Sequence, residues 1–136
     1  MTTNEAIAQT MQQLGHDAVA AQRVLSVSSG EQRNQALHAI AASLRRHRAA
    51  ILAANELDIN AASGAGLGRA ALDRLQLDAA RVEAMARGVE DIAALPDPIG
   101  TVLAEWTRPN ALRFQRVRVP LGVIGIIYES RPNVTC

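Results

Sequence analysis

Few residues of this chain are of types that do covalent or metal chemistry. His16, His38 and His47 are its histidines, and Cys136 is its one thiol. The histidines are scattered, without Cys or carboxylates at ligand spacing, so no metal site is expected. Cys136 is the last residue, and a terminal thiol is not held in a water-excluding pocket, so it is not read as a nucleophile. All 14 basic residues are Arg. A Schiff-base lysine is therefore excluded within these residues.

Two clusters invite a phosphate reading and do not sustain it. Gly64, Gly66 and Gly68 lie close together, but a dinucleotide fingerprint needs its glycines between a strand and a helix. Here they follow a helical pattern at the wrong spacing, so a helix-to-helix loop is expected. Arg45-Arg46-His47-Arg48 lacks the broad basic face or interleaved aromatics of a nucleic-acid binder. It reads as a solvated helix end.

The stretch with the most chemical promise is Leu121-Gly122-Val123-Ile124-Gly125-Ile126-Ile127-Tyr128-Glu129-Ser130-Arg131-Pro132-Asn133. It reads as a strand buried on both faces, a polar turn, then Pro at the first position of a helix. In open α/β sheets, ligands bind beyond the carboxyl ends of strands, where helix N-termini offer free N–H groups to phosphates. Ser130, Arg131 and Asn133 occupy that place and can all bond an anion.

The elements that would position this turn come in two grammars. Ile7, Met11, Leu14, Ala18, Ala21 and Leu25 recur at threes and fours and predict a helix from Asn4 to about Val27. Ser29 to Gln32 fits a capping box before a second helix with Leu37, Ile40, Ala41 and Leu44 on one face. Helix is expected again from Ala49 to Ala61, briefly from Ala70 to Leu75, and from an N-cap at Asp78 to Leu95; Pro96 and Pro98 end it. From Gly100 the period becomes two. Thr101–Thr107 and Ala111–Val119 predict the arms of a hairpin around Arg108-Pro109-Asn110.

Composition narrows the class. A chain of 136 residues, 49% apolar and with a formal charge of +1, suits a globular protein without a bulk polyanion partner. No early run has the length of a membrane span, and no basic region precedes an apolar one at the start. One cysteine makes no internal disulfide, so a cytoplasmic setting is expected. A doubly buried strand needs further βα units to cover it, so the chain reads as the front of a larger α/β protein.

From Val119-Pro120-Leu121-Gly122 through Tyr128-Glu129-Ser130-Arg131-Pro132-Asn133-Val134-Thr135 the sequence closely resembles the gamma-glutamyl phosphate reductases, also called glutamate-5-semialdehyde dehydrogenases. The Pro-Leu-Gly-Val-Ile-Gly portion is shared across the aldehyde dehydrogenase superfamily; Tyr-Glu-Ser-Arg-Pro-Asn narrows it. The similarity extends back through Asp97-Pro98-Ile99-Gly100, Glu105-Trp106, Arg108-Pro109-Asn110 and Asn55-Glu56-Leu57-Asp58.

The resemblance implies an α/β fold, the amino-terminal part of an aldehyde-dehydrogenase-like enzyme with a helical lead-in, a hairpin and the first strand of a parallel Rossmann-like sheet. Residues 1–99 would be the helical part of a cofactor domain and 100–120 a hairpin used in subunit contacts. Residues 121–136 would be the first buried strand and the start of the next helix. It implies NADPH-dependent reduction of gamma-glutamyl phosphate to glutamate-5-semialdehyde in proline biosynthesis. A cysteine thiolate attacks the acyl phosphate, phosphate leaves, and hydride reduces the resulting thioester. That cysteine is expected downstream, and Cys136 does not match it. Ile127, Tyr128, Glu129 and Ser130 would line the cofactor. Arg131 and Asn133 would face the substrate, and Ser130 or Asn133 would supply the oxyanion donor. A homo-oligomer and contact with the pathway's glutamate kinase are implied, with no nucleic acid or membrane partner. Two rivals remain: another dehydrogenase of the superfamily, or a non-catalytic helical interaction module.

One departure is instructive. The family's hairpin turn reads Pro-Asn-Gly, and Ala111 stands in the glycine's place here. If that position needs positive φ, alanine is strained there.

Overall fold

A computed structural model describes residues 3–128 and 131–135. Five helices precede a hairpin: α1 (Thr3–Val27), α2 (Gly30–Arg46), α3 (Arg48–Gly64), α4 (Arg69–Leu75) and α5 (Ala79–Ala93), then β1 (Val102–Thr107) and β2 (Arg113–Val117). A single 3-10 turn spans Pro132–Thr135. The chain divides into two compact units, residues 1–30 with 96–125 and residues 31–95 with 126–136.

In the second unit, α2 and α5 close on small side chains. Ala41 of α2 meets Ala86 and Val89 of α5, flanked by Leu37 and Leu44. The contact is made by small side chains, with Arg45 of α2 reaching across it to α5. Asp78 caps α5 as its sequence position predicts, accepting from Arg81 N at 2.7 Å. A second tie is buried. The Asn55 side chain donates to Leu75 O at 2.9 Å and accepts from Leu77 N at 2.7 Å. One amide of α3 thereby satisfies both ends of the α4–α5 link. The Gly64 to Gly68 stretch is the helix-to-helix loop expected, with Gly66 at φ 80°.

In the first unit, the hairpin is held by an antiparallel ladder pairing Thr107 with Arg113, Trp106 with Phe114 and Glu105 with Gln115. The Trp106 and Phe114 rings stack with centroids 5.7 Å apart. Such cross-strand pairs are the unit of hairpin stability. The turn bonds Ala111 N to Arg108 O at 2.9 Å and Leu112 N to the Asn110 side chain at 3.3 Å. Ala111 takes φ 64° there, the left-handed conformation expected of the position. In the same unit Gly30 opens α2 against Asp97: a Cβ on Gly30 would lie 2.6 Å from Asp97 Oδ2.

Two expected features differ. Leu121 to Tyr128 belongs to no strand, and its side chains are exposed, Ile127 completely. Strand structure is a property of pairs, and among the described residues nothing pairs with this run. The apolar stripe of α1 (Ile7, Met11, Leu14 and Leu25) is likewise exposed. Helical periodicity marks the face that favours burial without supplying its cover.

Candidate functional site

The second unit contains a groove of about 630 Å³ between the α4–α5 region and the turn at Pro132 and Asn133. Its floor is apolar, from Leu77, Ala84, Met85 and Val89; its polar groups are Asp73, Arg74, Gln76, Arg81 and Asn133. A mostly apolar cleft with a few convergent polar groups is the usual form of a small-ligand site.

The electrostatics are set by which arginines are occupied. The Arg81 guanidinium donates to the backbone carbonyls of Asp73 and Gln76 and pairs with Asp73 Oδ1 at 3.1 Å. It is committed to closing the end of α4. The guanidinium of Arg74, the residue after Asp73 on α4 and also in the lining, has no hydrogen bond or ion pair among the described residues. Its guanidinium is left for something else.

Of the residues expected at the site, Asn133 lines this groove. Ile127, Tyr128 and Arg131 do not line it. Tyr128 Oη lies 2.5 Å from Thr135 Oγ1, and Arg131 offers its carbonyl to Val134 N at 3.1 Å. Glu129, Ser130 and Cys136 lie outside the described residues.

Two roles escaped the sequence reading. Arg45 stays exposed with the rest of its run, but it is also paired: it bonds Glu83 at 2.9 Å and Glu90 at 2.8 Å. These bonds hold the Arg45 guanidinium above its ordinary range, Glu90 first and Glu83 second. They also pull both carboxyls below theirs. The signal was present, since Glu83 and Glu90 are seven apart and share one stripe of α5. Arg74 had no comparable signal, because a groove built from residues some sixty positions apart leaves no periodic trace.

The proteins this chain is similar to are reductases. A curated relative from Rhodospirillum rubrum is 57% identical over 133 residues, covering 98% of this chain and 31% of the relative. Another, from Brucella suis, is 53% identical over 129 residues, 95% of this chain and 31% of the relative. Both are gamma-glutamyl phosphate reductases. So are two solved structures: one from Thermotoga maritima (TM-score 0.83, 42% identity, 87% of this chain, 28% of that one) and one from Saccharomyces cerevisiae (TM-score 0.84, 34% identity, 91% and 32%). This chain spans about a third of the length of the curated relatives it matches. No protein-family model matches it.

Proposed function

We propose that this chain is the amino-terminal third of an NADPH-dependent gamma-glutamyl phosphate reductase of the aldehyde dehydrogenase superfamily. One observation carries the reading: the 57% identity across 98% of the chain to a reductase of that name. The whole enzyme reduces an acyl phosphate to glutamate-5-semialdehyde and releases phosphate, in proline biosynthesis. In this reading residues 1–99 begin the cofactor domain, 100–120 form an oligomer-contact hairpin, and 121–136 enter a parallel sheet as its first strand.

Bound NADPH supplies the hydride. The residues here suit its nicotinamide end. Ile127 presents a fully exposed apolar side chain, a surface a flat ring can cover, and in this reading Tyr128, Glu129 and Ser130 line the cofactor with it. Arg131 and Asn133 suit the substrate's anionic groups, because Arg matches phosphate and carboxylate in two-pronged geometry. In this reading Ser130 or Asn133 donates to the developing oxyanion. The nucleophilic cysteine belongs to a part of the enzyme downstream of these residues. No described helix is long and apolar enough to cross a membrane. In this reading the enzyme is a cytoplasmic homo-oligomer that meets glutamate kinase. The rival module built on Arg45 to Arg48 is weaker, because Arg45 is already engaged.

The test is a chimera in which this chain replaces the matching third of the Rhodospirillum rubrum reductase. It is assayed in reverse, as phosphate-dependent oxidation of glutamate-5-semialdehyde by NADP+. Activity within about tenfold of the parent is expected, a loss of no more than ~1.4 kcal/mol. A folded, soluble but inactive chimera overturns the assignment.

A further inference from the structure

We infer that the groove beside α4 receives the amino-acid end of the substrate, with the Arg74 guanidinium on its α-carboxylate. The inference rests on the proposed reductase function and adds to it the group that reads the substrate's identity. The reacting end of gamma-glutamyl phosphate is an acyl phosphate; its other end is a zwitterion with an ammonium and a carboxylate on one carbon. A site that selects it needs a cation and an anion side by side, at a distance from the reacting carbon.

Asp73 and Arg74, consecutive on α4, supply that pair in the groove's lining, which Asn133 shares. Arg81 is spent on the carbonyls of Asp73 and Gln76 and on Asp73 Oδ1, which leaves Asp73 Oδ2 to face an ammonium. Arg74 is the groove's one guanidinium without a partner among the described residues. A planar fork with free N–H groups matches a carboxylate in two-pronged fashion, which lysine cannot do. The groove's volume, about 630 Å³, is in the range of small-ligand sites, roughly 300–1,000 Å³. Asn133 joins the groove to the turn expected to hold the reacting end, three residues after Ser130. Asp73 and Arg74 therefore act on specificity, and the chemistry happens elsewhere.

The experiment compares the active chimera with its Arg74→Gln and Arg74→Lys variants on two aldehydes. One is glutamate-5-semialdehyde; the other is 4-aminobutanal, which has the same skeleton without the α-carboxylate. For Arg74→Gln, KM for the semialdehyde rises at least about tenfold, as for loss of a charged hydrogen-bond pair, while kcat stays within about twofold. Preference for the semialdehyde over 4-aminobutanal falls by the same factor, a change that general loosening would not produce. Arg74→Lys falls between the two, and it decides the matter if Arg74→Gln does not fold. An active chimera whose variants keep KM and preference unchanged overturns this inference and leaves the reductase assignment standing. An inactive chimera overturns both.

Discussion

The seam between α2 and α5 and the run from Leu121 to Tyr128 make an instructive pair. The second is much the more apolar sequence, yet Ala41 and Ala86 are wholly shielded while Ile127 is wholly exposed. The seam is buried because its small residues lie opposite one another on neighbouring helices, and in the same unit Asn55 answers the polar backbone of the α4–α5 link. The run has the hydrophobicity of a core strand and no strand partner among the described residues. Burial therefore follows complementarity between segments, and apolar content alone does not create it.

Asn55 gives the sharpest way to break that contrast. Asn55→Ala strands Leu75 O and Leu77 N at a part-buried link, and it should destabilise the second unit by about 3 kcal/mol. The midpoint of urea unfolding, followed by helical circular dichroism, reads this. The matched change Leu121→Ser alters an 86% exposed side chain and should stay within about 0.5 kcal/mol. Equal effects from both would show that the run is as firmly held as the link that Asn55 ties.

The hairpin supplies a change of the opposite sign. Ala111 holds φ 64°, where its Cβ crowds the following carbonyl. Ala111→Gly should relieve that strain and stabilise the hairpin by about 1 kcal/mol. The same substitution at Ala86, fully buried in the seam, would act the other way. A rise in Tm for Ala111→Gly is the expected result. A fall would mean that the gain in unfolded-chain entropy outweighs the relief.

Much of this was legible in the sequence, for identifiable reasons. Helix spacing is local, so α1, α2 and α5 emerge close to their expected bounds, and Asp78 announces its cap by type and position. The strain at Ala111 was readable through the resemblance, from one missing glycine. Nothing in the sequence distinguishes Asn55 from the motif it stands in, because its two partners lie 20 and 22 residues away. Arg45 looked like its neighbours in a charge run, and only the packing of α2 on α5 distinguishes it. The groove with Arg74 and Asn133 is assembled from segments that no periodicity connects, so the sequence carried its ingredients and not its existence.

The smallest effect concerns what Arg45 adds to the α2–α5 seam. Its two partners, Glu83 and Glu90, titrate below the ordinary glutamate value of 4.5, first because Arg45 hydrogen-bonds them. A carboxyl depressed in the folded state stabilises above its unfolded pKa and loses that contribution as pH falls through the folded one. The wild-type chain should therefore lose stability progressively on acidification below about pH 4.5. Arg45→Met keeps much of the side chain's apolar stem and removes the depression, so its stability should fall less steeply over that range. At pH 7 the deficit is small, as for other half-exposed ion pairs, and it should shrink further in acid. Parallel Tm profiles of the two proteins from pH 7 to pH 3 would show instead that the small-residue contact holds α2 to α5 without help from the arginine.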